Sequence, residues 1–161
     1  MTAASKSPYR IAGVTLDGAT VARRSPEIEQ ERNVAIYDLL ERNHFHPIGS
    51  PGGPYRLHLS VAEGRLVLDV RLDDETQHGR VALSLTPFRR VLKDYIEICA
   101  SYYAAIRQAH PVKIEAIDMG RRGLHDEGSN LLMERLAGKI DIDFETARRL
   151  FTLICALSIR L

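Results

Sequence analysis

Apolar positions recur along this chain in two periods, and the switches between them mark its elements. Residues 9–16 read as a short strand with Val14 and Leu16 on one side, stopped by Asp17-Gly18. Ser25-Pro26 then opens a helix. The serine hydroxyl can accept from a first-turn amide, and proline at the first helical position loses no needed donor. Glu27 and Glu29 sit close to the positive end of that helix. Ile28, Ala35, Ile36, Leu39 and Leu40 form one stripe, so the helix packs by a single face and ends near Asn43.

Residues 44–54 are rich in proline and glycine, which predicts a rigid connecting loop between two patterned flanks. Period two follows. Tyr55, Leu57, Leu59 and Val61 alternate with Arg56, His58 and Ser60 up to the Glu63-Gly64 turn. Leu66, Leu68, Val70 and Leu72 form a second run, and Val81, Leu83 and Leu85 a third after a polar connection over 73–79. Short connections and strict alternation predict antiparallel pairing with one buried face.

The rest is helical in pattern. Thr86-Pro87 starts the longest helix, to about Ala109, with Phe88, Val91, Leu92, Tyr95, Cys99, Tyr102 and Ile106 on one face. Pro111 restarts the chain into a short helix over 112–122, which Gly123 breaks, and a second covers 126–137, which Gly138 ends. Asp143 caps a last helix in which Leu150, Phe151, Leu153, Ile154, Leu157 and Ile159 leave little polar face beyond Arg148 and Arg149. A helix apolar nearly all round is buried centrally or by a second copy of the chain, so a homodimer through this helix is one expectation. The predicted class is α+β: a small antiparallel sheet, made of a three-strand meander plus an N-terminal strand, covered by about five helices. Residues 1–8 read as a flexible tail and 9–161 as a single domain.

Composition narrows the partners. The 161 residues carry a net charge of +1, with 45% hydrophobic and 27% charged residues. Collagen-like, low-complexity and coiled-coil chains are excluded. A charge balance this flat gives no field for coating nucleic acid or anionic lipid, so neither is an expected partner. Cys99 and Cys155 lie in helical patterns without C-x-x-C spacing, which points to a reducing compartment. The first ten residues lack a signal-peptide core, and the longest apolar stretch, residues 150–159, is about half the ~20 residues a membrane span needs. The expected location is cytoplasmic.

The densest chemistry lies in Gly120-Arg121-Arg122-Gly123-Leu124-His125-Asp126-Glu127. Read as a helix-junction loop, its glycines permit close approach and its amides and guanidinium groups suit a phosphate or carboxylate. His125 could move a proton there beside Asp126 or Glu127. The plainer alternative is a helix–turn–helix corner, with the arginines paired to Glu115, Asp118 or Glu134. Arginine outnumbers lysine 18 to 4, and Arg-Arg doublets begin at Arg23, Arg89, Arg121 and Arg148. Arg89 and Arg90 open a helix, where positive charge is disfavoured, so they need an acidic neighbour or an anion. Arg148-Arg149 reads as an ordinary solvated face.

Other signals are weaker. Gly120-Arg121-Arg122-Gly123 fits the bare GxxG clamp of KH-type RNA binders, with Gly138 to Ile142 as the strand after it. His44 and His46 could share one side of an extended segment, but no third ligand is selected, so no metal is expected. No nucleophile elbow, phosphate loop or dinucleotide motif occurs, and no cofactor is expected.

Several long segments resemble a family of small bacterial proteins known as an uncharacterised protein family. They are Arg23-Arg24-Ser25-Pro26-Glu27-Ile28-Glu29, Gly53-Pro54-Tyr55-Arg56-Leu57, Pro87-Phe88-Arg89-Arg90, the run from Ile114 to His125, and Gly138-Lys139-Ile140-Asp141-Ile142-Asp143-Phe144. The resemblance implies one cytosolic domain and assigns no residue a role. The leading expectation from the residues is a non-enzymatic binding or regulatory protein. It recognises an anionic ligand through Gly120, Arg121, Arg122 and Gly123, with Arg89 and Arg90 nearby. The alternatives are a phosphoester-acting enzyme using His125, Asp126 and Glu127, and RNA-backbone binding through the GxxG segment.

Overall fold

The computed structural model describes residues 6–16 and 26–157. The Asp17-Gly18 stop, the Arg23-Arg24 doublet, the Ser25 cap and Ile159 lie outside the described residues. Strand β1 (Ile11–Leu16) leads to helix α1 (Pro26–Glu41) and the short strand β2 (Phe45–Pro47). Strands β3 (Tyr55–Ala62), β4 (Arg65–Leu72) and β5 (Gln77–Ser84) follow, then a 3₁₀ turn over Thr86–Phe88. Helices α2 (Arg89–Gln108) and α3 (Pro111–Leu136), strand β6 (Ile140–Ile142) and helix α4 (Phe144–Leu157) complete the chain.

The α+β class and the three-strand meander are as expected. Strand order is β1-β3-β4-β5, and alternation sets the register: Leu57 lies opposite Val70 and Leu59 opposite Leu68, all four buried. The facing set of Arg56, His58, Asp69 and Arg71 stays on the polar side. β1 joins by pairing parallel to β3, so the sheet is mixed. A parallel neighbour needs a crossover, and α1 supplies it. The expected antiparallel sheet also omitted a second, two-stranded ladder of β2 and β6, with Phe45 opposite Ile142. Three residues are too few to display a period.

About five helices were expected and four are present among the described residues. Residues 112–122 and 126–137 do not form separate helices; they merge into α3, 26 residues long. Gly120, Gly123 and Gly128 therefore lie inside a helix, where glycine costs about 1 kcal/mol relative to alanine but does not break the ladder. Two of them are there for packing. A Cβ at Gly120 would stand 2.8 Å from Ile98, and one at Gly128 would stand 2.2 Å from the Phe151 ring. Gly138, at φ +81°, does follow the helix end as the pattern predicted.

Capping explains the other ends. The Asp143 carboxylate accepts from the Thr146 amide at 2.9 Å, as expected for the start of α4. Thr86 makes no such cap on α2; its amide instead donates to Ser84 Oγ at 3.3 Å. Past α1, Asn43 accepts from the Ile11 amide at 2.7 Å and donates to the Ile11 and Leu39 carbonyls at 3.0 and 2.7 Å. One amide side chain thus ties the helix end to the first strand. Residues 1–5 of the expected tail are outside the described residues, while Pro8 is held by a bond from the Gly53 amide to its carbonyl at 2.8 Å.

A contiguous core joins the inner sheet face to all four helices. Leu150, Phe151, Leu153 and Ile154 of α4 are at most 1% exposed, covered by α1 and α3 of the same chain. Central burial accounts for the apolar character of this helix, and a second copy is not needed to cover it. Among the described residues no helix is long and apolar enough to cross a membrane.

Candidate functional site

Helical spacing builds a cleft between α1, α3 and α4. On α3, Arg121, Arg122 and His125 fall at i, i+1 and i+4; on α4, Arg148, Arg149 and Thr152 repeat the spacing. Residues three and four apart share a helix face, so each helix turns one arginine doublet and one hydrogen-bonding residue to the same side. The two triplets meet: all six residues line a cleft of about 300 Å³, closed by Glu31 and Asp38 of α1 and by Tyr95 of α2. His125 Nε2 lies 2.8 Å from Thr152 Oγ1, joining the equivalent positions.

The two doublets are held differently. Asp118 receives two bonds from Arg121 at 3.2 and 2.7 Å, and two from Arg122 at 3.0 and 2.6 Å. Those guanidinium groups keep its carboxyl below the usual range. Arg121 also stacks 4.5 Å over the Tyr102 ring and reaches Glu31 at 4.0 Å. Glu31 in turn accepts from Tyr103 at 2.8 Å and from Tyr95 at 3.4 Å. Contacts on α4 are looser. Arg148 reaches Glu145 at 3.4 Å and Asp126 at 3.9 Å, and its buried Nε makes no hydrogen bond. Arg149 lies 3.7 Å from Glu145 and 3.9 Å from Asp38. Bidentate donors with long or missing partners are the ones an incoming anion can recruit.

His125 is buried, with the Tyr95 and Phe151 rings at 5.2 and 5.3 Å. The Thr152 hydroxyl donates to the Arg148 carbonyl at 3.3 Å, so it accepts from His125 Nε2, which leaves Nδ1 buried and without a partner. Desolvation, reinforced by Arg148, brings the imidazole pKa from 6.5 to about 4. A ring that stays neutral through physiological pH serves as a fixed donor.

The remaining expected site residues scatter. Asp126 and Glu127 are exposed, and Glu127 pairs with Arg90, which also bonds Asp94 at 3.2 Å. The helix-start arginine thus has acidic neighbours, and neither Arg90 nor the exposed Arg89 lines the cleft. Gly120 and Gly123 are helical, so the backbone loop that a GxxG clamp requires is not formed. β6 does follow Gly138 but pairs with β2. His44 and His46 have separate partners, the first Asp141 at 3.4 Å, the second the Ser50 carbonyl at 3.3 Å. Among the described residues no cluster of three or more histidine, cysteine or carboxylate side chains could hold a metal ion. Arg148 and Arg149, read from sequence as a solvated face, are the residues missed. Their signal was positional: with Thr152 they form a polar stripe leading into a stretch, residues 150–157, that is otherwise apolar.

Relatives carry the same fold-length sequence. The profile of an uncharacterised protein family, UPF0262, matches residues 8–160. This chain belongs to UPF0262. A UPF0262 protein of Rhizobium meliloti (strain 1021) is 60% identical over 148 residues, covering 92% of this chain and 93% of its own. A UPF0262 protein of Azorhizobium caulinodans is 59% identical, over 93% of this chain and 94% of its own. One from Nitrobacter winogradskyi is 59% identical, over 94% and 90%. No solved structure matches the chain. The UPF0262 sequence thus spans the whole arrangement of α1, α3 and α4 that forms the cleft.

Proposed function

We propose that this UPF0262 protein is a binding protein for a small anionic metabolite bearing a phosphate or carboxylate group, held in the cleft between α1, α3 and α4. The observation that carries the reading is the convergence of two arginine doublets, from different helices, on one concave surface. Arg148 and Arg149, whose carboxylate partners lie at 3.4 Å or beyond, are the primary ligands of the anion. Arg122 is the third, because its 67% exposed side chain can leave Asp118 cheaply. Arg121, stacked on Tyr102 and tied to Asp118, holds the wall of the site. Relative to the sequence-based expectation, Arg121 and Arg122 stay and Arg89 and Arg90 drop out. His125, neutral and donating to Thr152, shapes the floor.

The test is a thermal-shift screen with phosphorylated and carboxylated metabolites, followed by titration calorimetry on any hit. Binding raises the melting temperature, by an amount equivalent to about 2.7 kcal/mol at a hundredfold excess over Kd. Arg149→Ala is expected to weaken binding at least tenfold, while Arg89→Ala leaves it unchanged. A hit that is indifferent to Arg149→Ala and Arg148→Ala, or a panel without a hit, overturns the reading.

A further inference from the structure

A second constellation lies in the loop between β2 and β3 and shares no lining residue with the arginine cleft. Ser50 Oγ stands 2.7 Å from His78 Nε2 and 2.7 Å from the Tyr55 hydroxyl, and the Gly52 amide donates to it at 3.3 Å. A hydroxyl has one proton and two lone pairs. With His78 in its Nδ1–H tautomer, Ser50 donates to Nε2 while the Gly52 amide and the Tyr55 hydroxyl donate to Oγ. The three side chains come from separate elements. Ser50 is on the loop, whose carbonyl is held by His46 at 3.3 Å; Tyr55 opens β3 and is fully buried; His78 is on β5.

This pair faces space. Ser50 and His78 are half-buried and line a cavity of about 370 Å³ whose rim carries Arg80 and Lys139, both exposed. Gly49 and Gly79 also line it, and a Cβ at either would meet nothing within 4 Å, so the surface beside the pair is open. A serine within hydrogen-bond reach of an imidazole, in a cavity with room for a substrate, is the arrangement of an activated nucleophile and its base. Two cations without a carboxylate in the lining select a substrate with negative charge.

We propose that Ser50 and His78 are the nucleophile and base of an esterase site for small esters whose acyl group carries a carboxylate. Ser50 Oγ attacks the ester carbonyl carbon while its proton passes to His78 Nε2. Collapse of the tetrahedral adduct breaks the bond to the alcohol oxygen, which takes that proton from His78. Water then gives a proton to His78 and attacks the acyl-serine, and Ser50 leaves with the proton restored. Ester and water become acid and alcohol. Arg80 and Lys139 bind the substrate carboxylate, and Tyr55, donating to Oγ, is a positioning residue.

The test combines covalent labelling with turnover on the full chain. A fluorophosphonate probe is expected to give a single adduct, mapped by peptide mass spectrometry to Ser50. The mono-p-nitrophenyl ester of succinate is expected to be hydrolysed with at least tenfold higher kcat/KM than p-nitrophenyl acetate. His78→Gln is expected to slow both labelling and turnover about 100-fold with the fold intact by circular dichroism. Arg80→Ala is expected to erase the preference for the succinyl ester by raising KM. Absence of a Ser50 adduct on the wild-type chain overturns the proposal without recourse to any variant. So does labelling that is as fast in folded His78→Gln, and equal use of the two esters overturns the substrate class.

Discussion

Burial of His125 couples the stability of the fold to pH in a defined window. The imidazole is 9% exposed, sits between Tyr95 and Phe151, and feels Arg148, Arg121 and Arg149 against the opposing charge of Asp126. Desolvation, the larger cause, and those cations lower its pKa from 6.5 to about 4. Between these values the unfolded chain binds more protons than the folded one. The contribution is therefore complete above about pH 6.5, is lost as pH falls through the window, and changes no further below about 4. Linkage places the loss at about 2 kcal/mol at pH 5 and about 3 kcal/mol at pH 4. A domain of this kind has about 5–15 kcal/mol in total, so the loss shifts a urea midpoint visibly. The assay compares wild type with His125→Phe at pH 7.5, 6 and 5. Phenylalanine keeps a planar ring against Tyr95 and Phe151, and Thr152 keeps its bond to the Arg148 carbonyl. Carboxylates held low in the fold, Asp118 among them, destabilise both proteins on acidification, so the difference between them reports on His125. That difference should move by about 2 kcal/mol in favour of the variant between pH 7.5 and 5. An NMR titration of wild-type His125 should show a midpoint near 4. Parallel stability curves, or a midpoint near 6.5, refute the reasoning.

Other perturbations separate packing from helix propensity and charge from structure. Gly128→Ala puts a Cβ 2.2 Å from the Phe151 ring, and chemical denaturation should show a loss of about 3 kcal/mol. Gly123→Ala meets nothing within 4 Å, and the same measurement should show a gain of about 0.5–1 kcal/mol from helix propensity. Asn43→Ala removes two hydrogen bonds to Ile11 of β1 and one to Leu39 of α1; the expected cost is about 2 kcal/mol, with faster amide exchange at Ile11. Glu145→Gln releases Arg148 and Arg149 from a carboxylate that touches both, so the anion found in the cleft screen should bind more tightly, read by calorimetry.

Much of the architecture was legible because it rests on local rules. The alternation from Tyr55 to Leu72 fixed which residues enter the core, since a one-residue slip of β3 against β4 would turn Leu57 and Leu59 away from the face that Val70 and Leu68 share. Asp143 and Gly138 marked helix ends because their chemistry suits those ends wherever the chain goes. What failed was the inference from glycine to helix break. Gly123, where the break was expected, has open space where a Cβ would stand, while Gly120 and Gly128 are demanded by Ile98 and Phe151, and no local pattern distinguishes a glycine that ends a helix from one that sits inside it. The parallel seat of β1 was hidden for a related reason: a six-residue strand reads the same whichever direction its partner runs.

The candidate site follows the same division. Spacing within one helix was readable, so Arg121, Arg122 and His125 could be placed on a common face once the segment was helical. Which second face they meet depends on how α4 packs, and that is set by Gly128 admitting Phe151. Removing the Cβ at Gly128 lets α4 approach until Thr152 reaches His125, and the same approach carries Arg148 and Arg149 to the cleft. The expected break at Gly123 has no packing partner, whereas the missing side chain at Gly128, a position inside the expected second helix, brings the two arginine doublets together. Charge repulsion between them opposes that approach, and the fold offsets it by placing carboxylates unevenly: Asp118 binds both α3 arginines closely, while Glu145 and Asp38 stand farther from those of α4. An arrangement serving stability alone would satisfy both pairs alike, since an under-partnered guanidinium in a half-buried cleft raises the energy of the folded state. The asymmetry leaves donor capacity on one wall of a concave surface, which is where an anion would contribute most to stability.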